Sequence, residues 1–123
     1  VFGSGFAKNY GGKGANQAVQ ASRLGIDVSM CGCVGRDSLG EEYLNQFDVE
    51  NVDTVLLRRS AKTTGIASIN VDSSGANTIV IVPGANEDVE LDSYLADHIK
   101  RARVLICQNE IPFLATLEAL KIA

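Results

Sequence analysis

Apolar positions along the chain follow two periods, helical and extended, in alternation. Over residues 15–24, Ala15, Ala18, Val19 and Ser22 fall on one helical face, and their small size lets the helix lie close to a sheet. Gly25 stands where a helix-terminating glycine belongs. Residues 28–34 form a short, mostly apolar run, as expected of a strand covered on both faces. Residues 35–38 read as a turn. Ser38 with Glu41 has the spacing of a capping box, so a helix starts there, with Leu39, Tyr43, Leu44 and Phe47 as its apolar face. Residues 54–57 resemble another short strand. Strand, helix, strand, helix is the rhythm of a parallel α/β sheet.

The rhythm breaks at Thr64. Residues 65–71 and 77–82 are rich in β-branched side chains, and Asp72-Ser73-Ser74-Gly75 between them is a turn cluster, which predicts a β-hairpin. Ser68, Asn70, Asn77 and Thr78 suit a sheet with one exposed face. After Asn86 the helical period resumes with Leu91, Leu95, Ile99 and Ala102, and Asp92 supplies negative charge at the helix start. Residues 104–107 read as an apolar strand. Pro112 suits the first turn of a last helix, with Leu114, Leu117 and Leu120 as its stripe. Near the start, Phe2, Phe6 and Tyr10 recur every four residues. Glycines at 3, 5, 11 and 12 oppose a helix there, so an irregular strand is expected.

Composition narrows the classes. A chain of 123 residues holds one domain at most, and 46% hydrophobic content fits a globular protein. A net charge of −4 argues against a general nucleic-acid binder, which needs a basic face. No apolar run approaches the ~20 residues that span a bilayer. Cys31, Cys33 and Cys107 are an odd set without a nearby histidine or second cysteine pair, so neither a disulfide scaffold nor a metal site is expected. Buried free thiols in a reducing compartment fit better, which gives a cytoplasmic reading. His98, the only histidine, has no partner carboxylate or nucleophile beside it and reads as a solvated helix position.

The candidate chemistry lies in Gly11-Gly12-Lys13-Gly14-Ala15-Asn16-Gln17-Ala18. Glycines before a helix start let a ligand approach backbone N–H groups that have no partner within the helix. Lys13 adds three mobile donors and Asn16 an amide that donates and accepts. Such a cradle suits an oxygen-rich ligand: a phosphate, a sugar or an amino acid. The phosphate-binding P-loop needs Ser or Thr after its lysine, but Gly14 follows Lys13. The dinucleotide fingerprint starting at Gly12 and Gly14 has Gln17 in its third glycine position. Glycines that only turn the chain before a helix remain a third reading. At the far end, Glu110 follows an apolar strand and precedes a helix, the place where open α/β sheets bind ligands.

Together, Gly11, Gly12, Gly14, Asn16, Ala18, Gly25 and Gly35 resemble the N-terminal signature of the ribokinase (PfkB) carbohydrate kinase family. Gly35-Arg36-Asp37-Ser38-Leu39-Gly40 is similar to that family's next turn. Thr64-Gly65-Ile66-Ala67 and Val80-Ile81-Val82-Pro83-Gly84-Ala85-Asn86 are similar to its lid hairpin, and Gln108-Asn109-Glu110-Ile111-Pro112 to its Gln-Leu-Glu-x-Pro strand end. The resemblance runs through the whole chain, and Asn109 departs from the leucine usual in that motif.

The resemblance implies a ribokinase-like α/β fold, a Rossmann-like parallel sheet flanked by helices, with a small hairpin lid at about residues 64–86. Residues 1–123 would form the sugar-binding part of such a domain, an incomplete fold. The implied activity is ATP-dependent phosphorylation of D-ribose to D-ribose 5-phosphate. A kinase for another small sugar or a nucleoside, or a non-catalytic fragment, remain as alternatives. Substrate contacts are implied at Gly12, Lys13, Gly14, Ala15, Asn16 and Glu110, with the Gly12 backbone, Lys13 and Asn16 on one side of the ribose and Glu110 on the other. The family's opening Asn-x-Asp element and its Gly-Ala-Gly-Asp motif do not occur here. No catalytic residue and no metal ligand are therefore expected in this chain, and the chain alone is expected to be inactive. ATP, Mg²⁺ and a monovalent cation (K⁺) are implied for the complete enzyme, as is a homodimer formed through the lid.

Overall fold

The computed structural model describes residues 2–123. Gly32–Gly35 (β1) and Leu57–Ser60 (β2) pair in parallel, with Gly32 opposite Leu57 and Gly35 opposite Ser60. A single bridge between Ser29 and Asp53 extends the pairing towards the chain start. The apolar run 28–34 is thus a strand only over its second half. The expected strand at 54–57 is a turn, in which the Leu57 N–H donates to the Thr54 carbonyl at 2.8 Å, and pairing starts at Leu57. Arg58 and Arg59 hide β2 in the sequence. Their charges are led away to Asp92 and Glu41, so a strand with two adjacent arginines is tolerated.

Helices cover both faces of this pair. Lys13–Arg23 (α1) and Ser38–Val49 (α2) bury Ala15, Ala18 and Phe47 with Val52, and Met30 and Leu57 pack against that cluster. Leu57 faces the same way as Gly32, its register partner, so Cys33 points to the other face. There Cys33 joins Ala85, Val89 and Ala115, and beyond it Leu95, Ile99 and Ala119 form a third cluster. Ser93–Arg101 (α3) and Phe113–Ile122 (α4) supply that side. The result is helix, sheet, helix, the layering expected of an α/β fold.

Local chemistry explains the helix ends. α1 starts two residues before its apolar period and stops where Gly25 takes φ +82°, a left-handed conformation that glycine adopts without strain. α2 is capped by Asp37 rather than by Ser38. The Asp37 carboxylate accepts from the Gly40 N–H at 2.9 Å, and from the Thr64 N–H and hydroxyl at 2.8 and 2.6 Å. Aspartate outcompetes serine because one carboxylate serves a helix start and a distant loop together. Asp92 caps α3 in the same way, at 2.9 Å from the Leu95 N–H.

Other expectations change. α4 buries Ala115, Thr116 and Ala119, while Leu114 and Leu120 are 68% and 56% exposed. The small face wins because it allows α4 to approach the Cys33 and Leu95 clusters closely. Pro112 stands just before the helix rather than in it. Residues 104–107 form no strand, and among the described residues no backbone hydrogen bond ties them to a neighbour. Strand geometry needs a partner ladder, and apolar composition alone does not supply one. Residues 2–10 are irregular, with Phe2 and Phe6 exposed. A 3₁₀ turn at Gly84–Asp88 went unforeseen. Cys33 is buried but Cys31 is exposed, and all three cysteines are free.

The hairpin forms as expected. Ile66–Val71 (β3) pairs antiparallel with Asn77–Val82 (β4), Ile66 opposite Val82 and Val71 opposite Asn77. It is a separate two-stranded sheet rather than an extension of the parallel pair. Both of its faces are exposed, not one. One face carries Ala67, Ile69, Val71, Ile79 and Ile81; the other mixes Ile66, Val80 and Val82 with Ser68, Asn70 and Thr78.

The Asp37 network makes stability at the hairpin root depend on pH. Hydrogen bonds from the Thr64 side chain and backbone, then from Gly40, hold the Asp37 carboxyl below the ordinary aspartate range. A group depressed on folding contributes stability that is present above its unfolded pKa, about 3.9, and is lost as pH falls through the folded value. Asp37→Asn is therefore expected to lower the urea midpoint at neutral pH, and the gap to the unsubstituted protein is expected to close as pH falls below that range. A gap independent of pH would show that the charge is not what stabilises the network.

Candidate functional site

The glycine-led start of α1 is held from two sides. Gly12 takes φ +90°, an angle that disfavours any side chain there although a Cβ would meet nothing within 4 Å. The Gly12 carbonyl closes the first helical turn by accepting from the Asn16 N–H at 2.9 Å. The Gly11 carbonyl accepts from the Tyr43 hydroxyl of α2. Tyr43 in turn packs edge-on against Tyr10 and Phe47, with ring centroids 5.5 and 5.0 Å apart. Burial raises the Tyr43 phenol, and its bond to Gly11 offsets part of that rise. Tyr43 was counted in the sequence only as an apolar face residue. Its spacing of four from Phe47 is the sole local sign of the stack, and nothing local marks the reach to Gly11.

The structure brings Lys13 and Glu110 together. The Lys13 ammonium donates to a Glu110 carboxylate oxygen across 97 residues of sequence. Both side chains stay accessible, at 67% and 47%. One turn along α1, Gln17 Oε1 accepts from Gln108 Nε2 at 3.0 Å. Gly14 lies between these contacts, and a Cβ there would stand 3.8 Å from Gln108 Cγ and 3.6 Å from Met30 Cε, ordinary contact distances. Asn109 is exposed beside Glu110.

The remaining expected residues divide. Asn16 is exposed and lines a cleft of about 380 Å³ between α1 and α2, with Tyr10, Gln20, Arg23, Tyr43 and Glu50. Glu110 lines a different groove of about 410 Å³, with Glu87, Ile111 and Pro112. Ala15, buried beside Ala18 and Phe47, lines the same cleft as Asn16 and not the Glu110 groove. Lys13 thus meets Glu110 directly, while Asn16 sits on the adjoining face of α1.

Lys13 is not followed by the hydroxyl that a P-loop requires. Among the described residues, no group of three or more His, Cys, Asp or Glu side chains converges to hold a cation. His98 makes a ring–backbone hydrogen bond of 2.8 Å to the Tyr94 carbonyl one turn back and takes no part in the site. No helix among the described residues is long and apolar enough to cross a membrane.

The layered parallel pair with its separate hairpin superposes on solved ribokinases. A structure of Arabidopsis thaliana ribokinase complexed with ribose and ATP superposes with a TM-score of 0.83 at 28% identity, over 91% of this chain and 38% of that one. This chain belongs to the pfkB family of carbohydrate kinases, which it matches over residues 3–120. Ribokinase of Lactococcus lactis subsp. lactis is 50% identical over 121 residues, covering 91% of this chain and 38% of the relative. Ribokinase of Mus musculus is 43% identical over 129 residues, covering 100% of this chain and 39% of the relative. The chain therefore spans about two-fifths of the length of these curated relatives.

The exposure of the Lys13–Glu110 pair sets what it contributes to folding. Accessible ion pairs couple by ~1 kcal/mol or less and are screened by salt. A double-mutant cycle with Lys13→Ala and Glu110→Ala, read by urea unfolding, is expected to give a coupling no larger than ~1 kcal/mol that shrinks in high salt. A coupling of several kcal/mol would make the pair a structural element and remove the reason to see it as a binding surface.

Proposed function

We propose that the protein carrying this chain is an ATP-dependent ribokinase, converting D-ribose to D-ribose 5-phosphate, and that this chain supplies part of its sugar-binding surface. The observation that carries the reading is the meeting of Lys13 and Glu110 across one accessible gap, in a chain 50% identical to a ribokinase. A pentose presents several hydroxyls, each able to donate and accept. Glu110, an acceptor with two oxygens, takes hydroxyl protons, and Lys13, a donor with three, meets hydroxyl oxygens. A sugar entering the gap replaces the ion pair with bonds to both partners. The N–H groups at the Gly12 turn and the Gly14 backbone extend this surface, while Asn16 and Ala15 line the adjoining cleft and add contacts only to a ligand that spans both. An analogue lacking one hydroxyl leaves a charged group unpaired, which is the basis of selectivity.

ATP supplies the phosphoryl group. Sites for ATP, Mg²⁺ and K⁺ are assigned by this reading to the remainder of the enzyme, since the chain spans about two-fifths of its relatives. The hairpin serves as the lid, closing over the sugar to keep water from the reacting phosphate. Its more apolar face, with Ile69, Val71, Ile79 and Ile81, pairs two copies into a homodimer. Three free cysteines agree with a reducing, cytoplasmic setting.

Steady-state kinetics on the complete protein test the site. Glu110→Gln is expected to lower kcat/KM for ribose by about 10²-fold and Lys13→Ala by about tenfold, with the KM for ATP little changed, because each removes charge-assisted bonds to the sugar alone. Turnover of another sugar or a nucleoside but not of ribose would refute the reading. The chain by itself is expected to give no turnover. For the lid, Ile81→Glu is expected to convert a dimer to a monomer in light scattering; a dimer unaffected by this change would place the interface elsewhere.

A further inference from the structure

We propose that Gln17 and Gln108 are positioning residues that set the gap between Lys13 and Glu110, and with it the fit of the sugar. The inference rests on the ribose reading above.

Two side-chain contacts join α1 to residues 108–110. Lys13 donates to Glu110, and Gln108 donates to Gln17 at 3.0 Å. Lys13 and Gln17 are one helical turn apart, ~6 Å along α1. Gln108 and Glu110 are two residues apart in a non-helical stretch that bends at Asn109 and Glu110, a span below the ~6.6 Å of an extended chain. Two neighbouring residues of α1 thus meet two neighbouring residues of this stretch, and the contacts form two rungs.

The rungs are unequal. A lysine and a glutamate that are 67% and 47% accessible hold no fixed distance of their own. The Gln17–Gln108 bond is also exposed, but it is neutral and insensitive to salt, and the Gln108 stem passes Gly14 at a distance that would just admit a methyl group. Residues 104–108 have no strand partner among the described residues, so no backbone ladder sets how far Glu110 stands from α1. The amide rung supplies that distance. Neither glutamine is required to touch the sugar; each acts through Glu110.

The test is Gln17→Leu, Gln108→Leu and the double variant in the complete protein. Each single change is expected to raise the KM for ribose about tenfold, with kcat and the KM for ATP within about twofold, as for one lost hydrogen bond. The double variant is expected to be no worse than the weaker single one, since all three lose the same bond. Additive losses, an unchanged KM for ribose, or an equal rise in the KM for ATP would overturn the proposal. If the unsubstituted protein does not phosphorylate ribose, the ribose reading falls, and NMR chemical shifts decide the positioning role. In Gln17→Leu, the backbone signals of residues 108–111 are expected to shift or broaden while those of the buried face of α1 stay in place; unchanged signals at 108–111 would overturn it.

Discussion

The rotation of α1 about its own axis is the constraint from which the site follows. Ala15 and Ala18 are buried against Phe47 and Val52, and only small side chains permit so close an approach. With that face fixed, helical periodicity sends Lys13 and Gln17 out on the far side, where residues 108–110 lie. Asn16, between the two faces, is left on the cleft shared with α2. A polar site is thus oriented by an apolar contact that touches no ligand. Larger residues at 15 or 18 would move Lys13 without altering its chemistry.

A second constraint governs the hairpin. Asp37, Thr64 and the Gly35 N–H, which donates to the Thr64 hydroxyl at 2.9 Å, tie the root of the hairpin to the start of α2. On the returning side, the Ala85 N–H donates to the Thr63 carbonyl at 2.8 Å. Beyond these ties the hairpin makes only its own ladder and leaves both faces to solvent. An element held at its base and free of the main sheet can change its angle without breaking the core. Exposed isoleucines and valines on both faces are costly in water unless a surface comes to cover them, which is the reason for proposing closure on one side and pairing on the other.

What the sequence determined by itself was local or periodic. Helical spacing located α1, α2 and α3, and the turn cluster at 72–75 located the hairpin with its strands. The glycine–lysine run and Glu110 stood out through the family resemblance, because a glycine turn before a helix and a carboxylate in a loop each have commoner uses. What tertiary structure decided was every choice between competing partners. Asp37 displaced Ser38 as a cap because Thr64, distant in sequence, needed the same carboxylate. Ala115 and Ala119 displaced the leucine stripe of α4 because the neighbouring helix demanded closeness rather than bulk. Arg58 and Arg59 sat in a strand because Asp92 and Glu41 were within reach, and residues 104–107 failed to be one for want of a ladder. The Lys13–Glu110 and Gln17–Gln108 rungs join residues more than ninety positions apart, and no local pattern records a distance that folding alone creates.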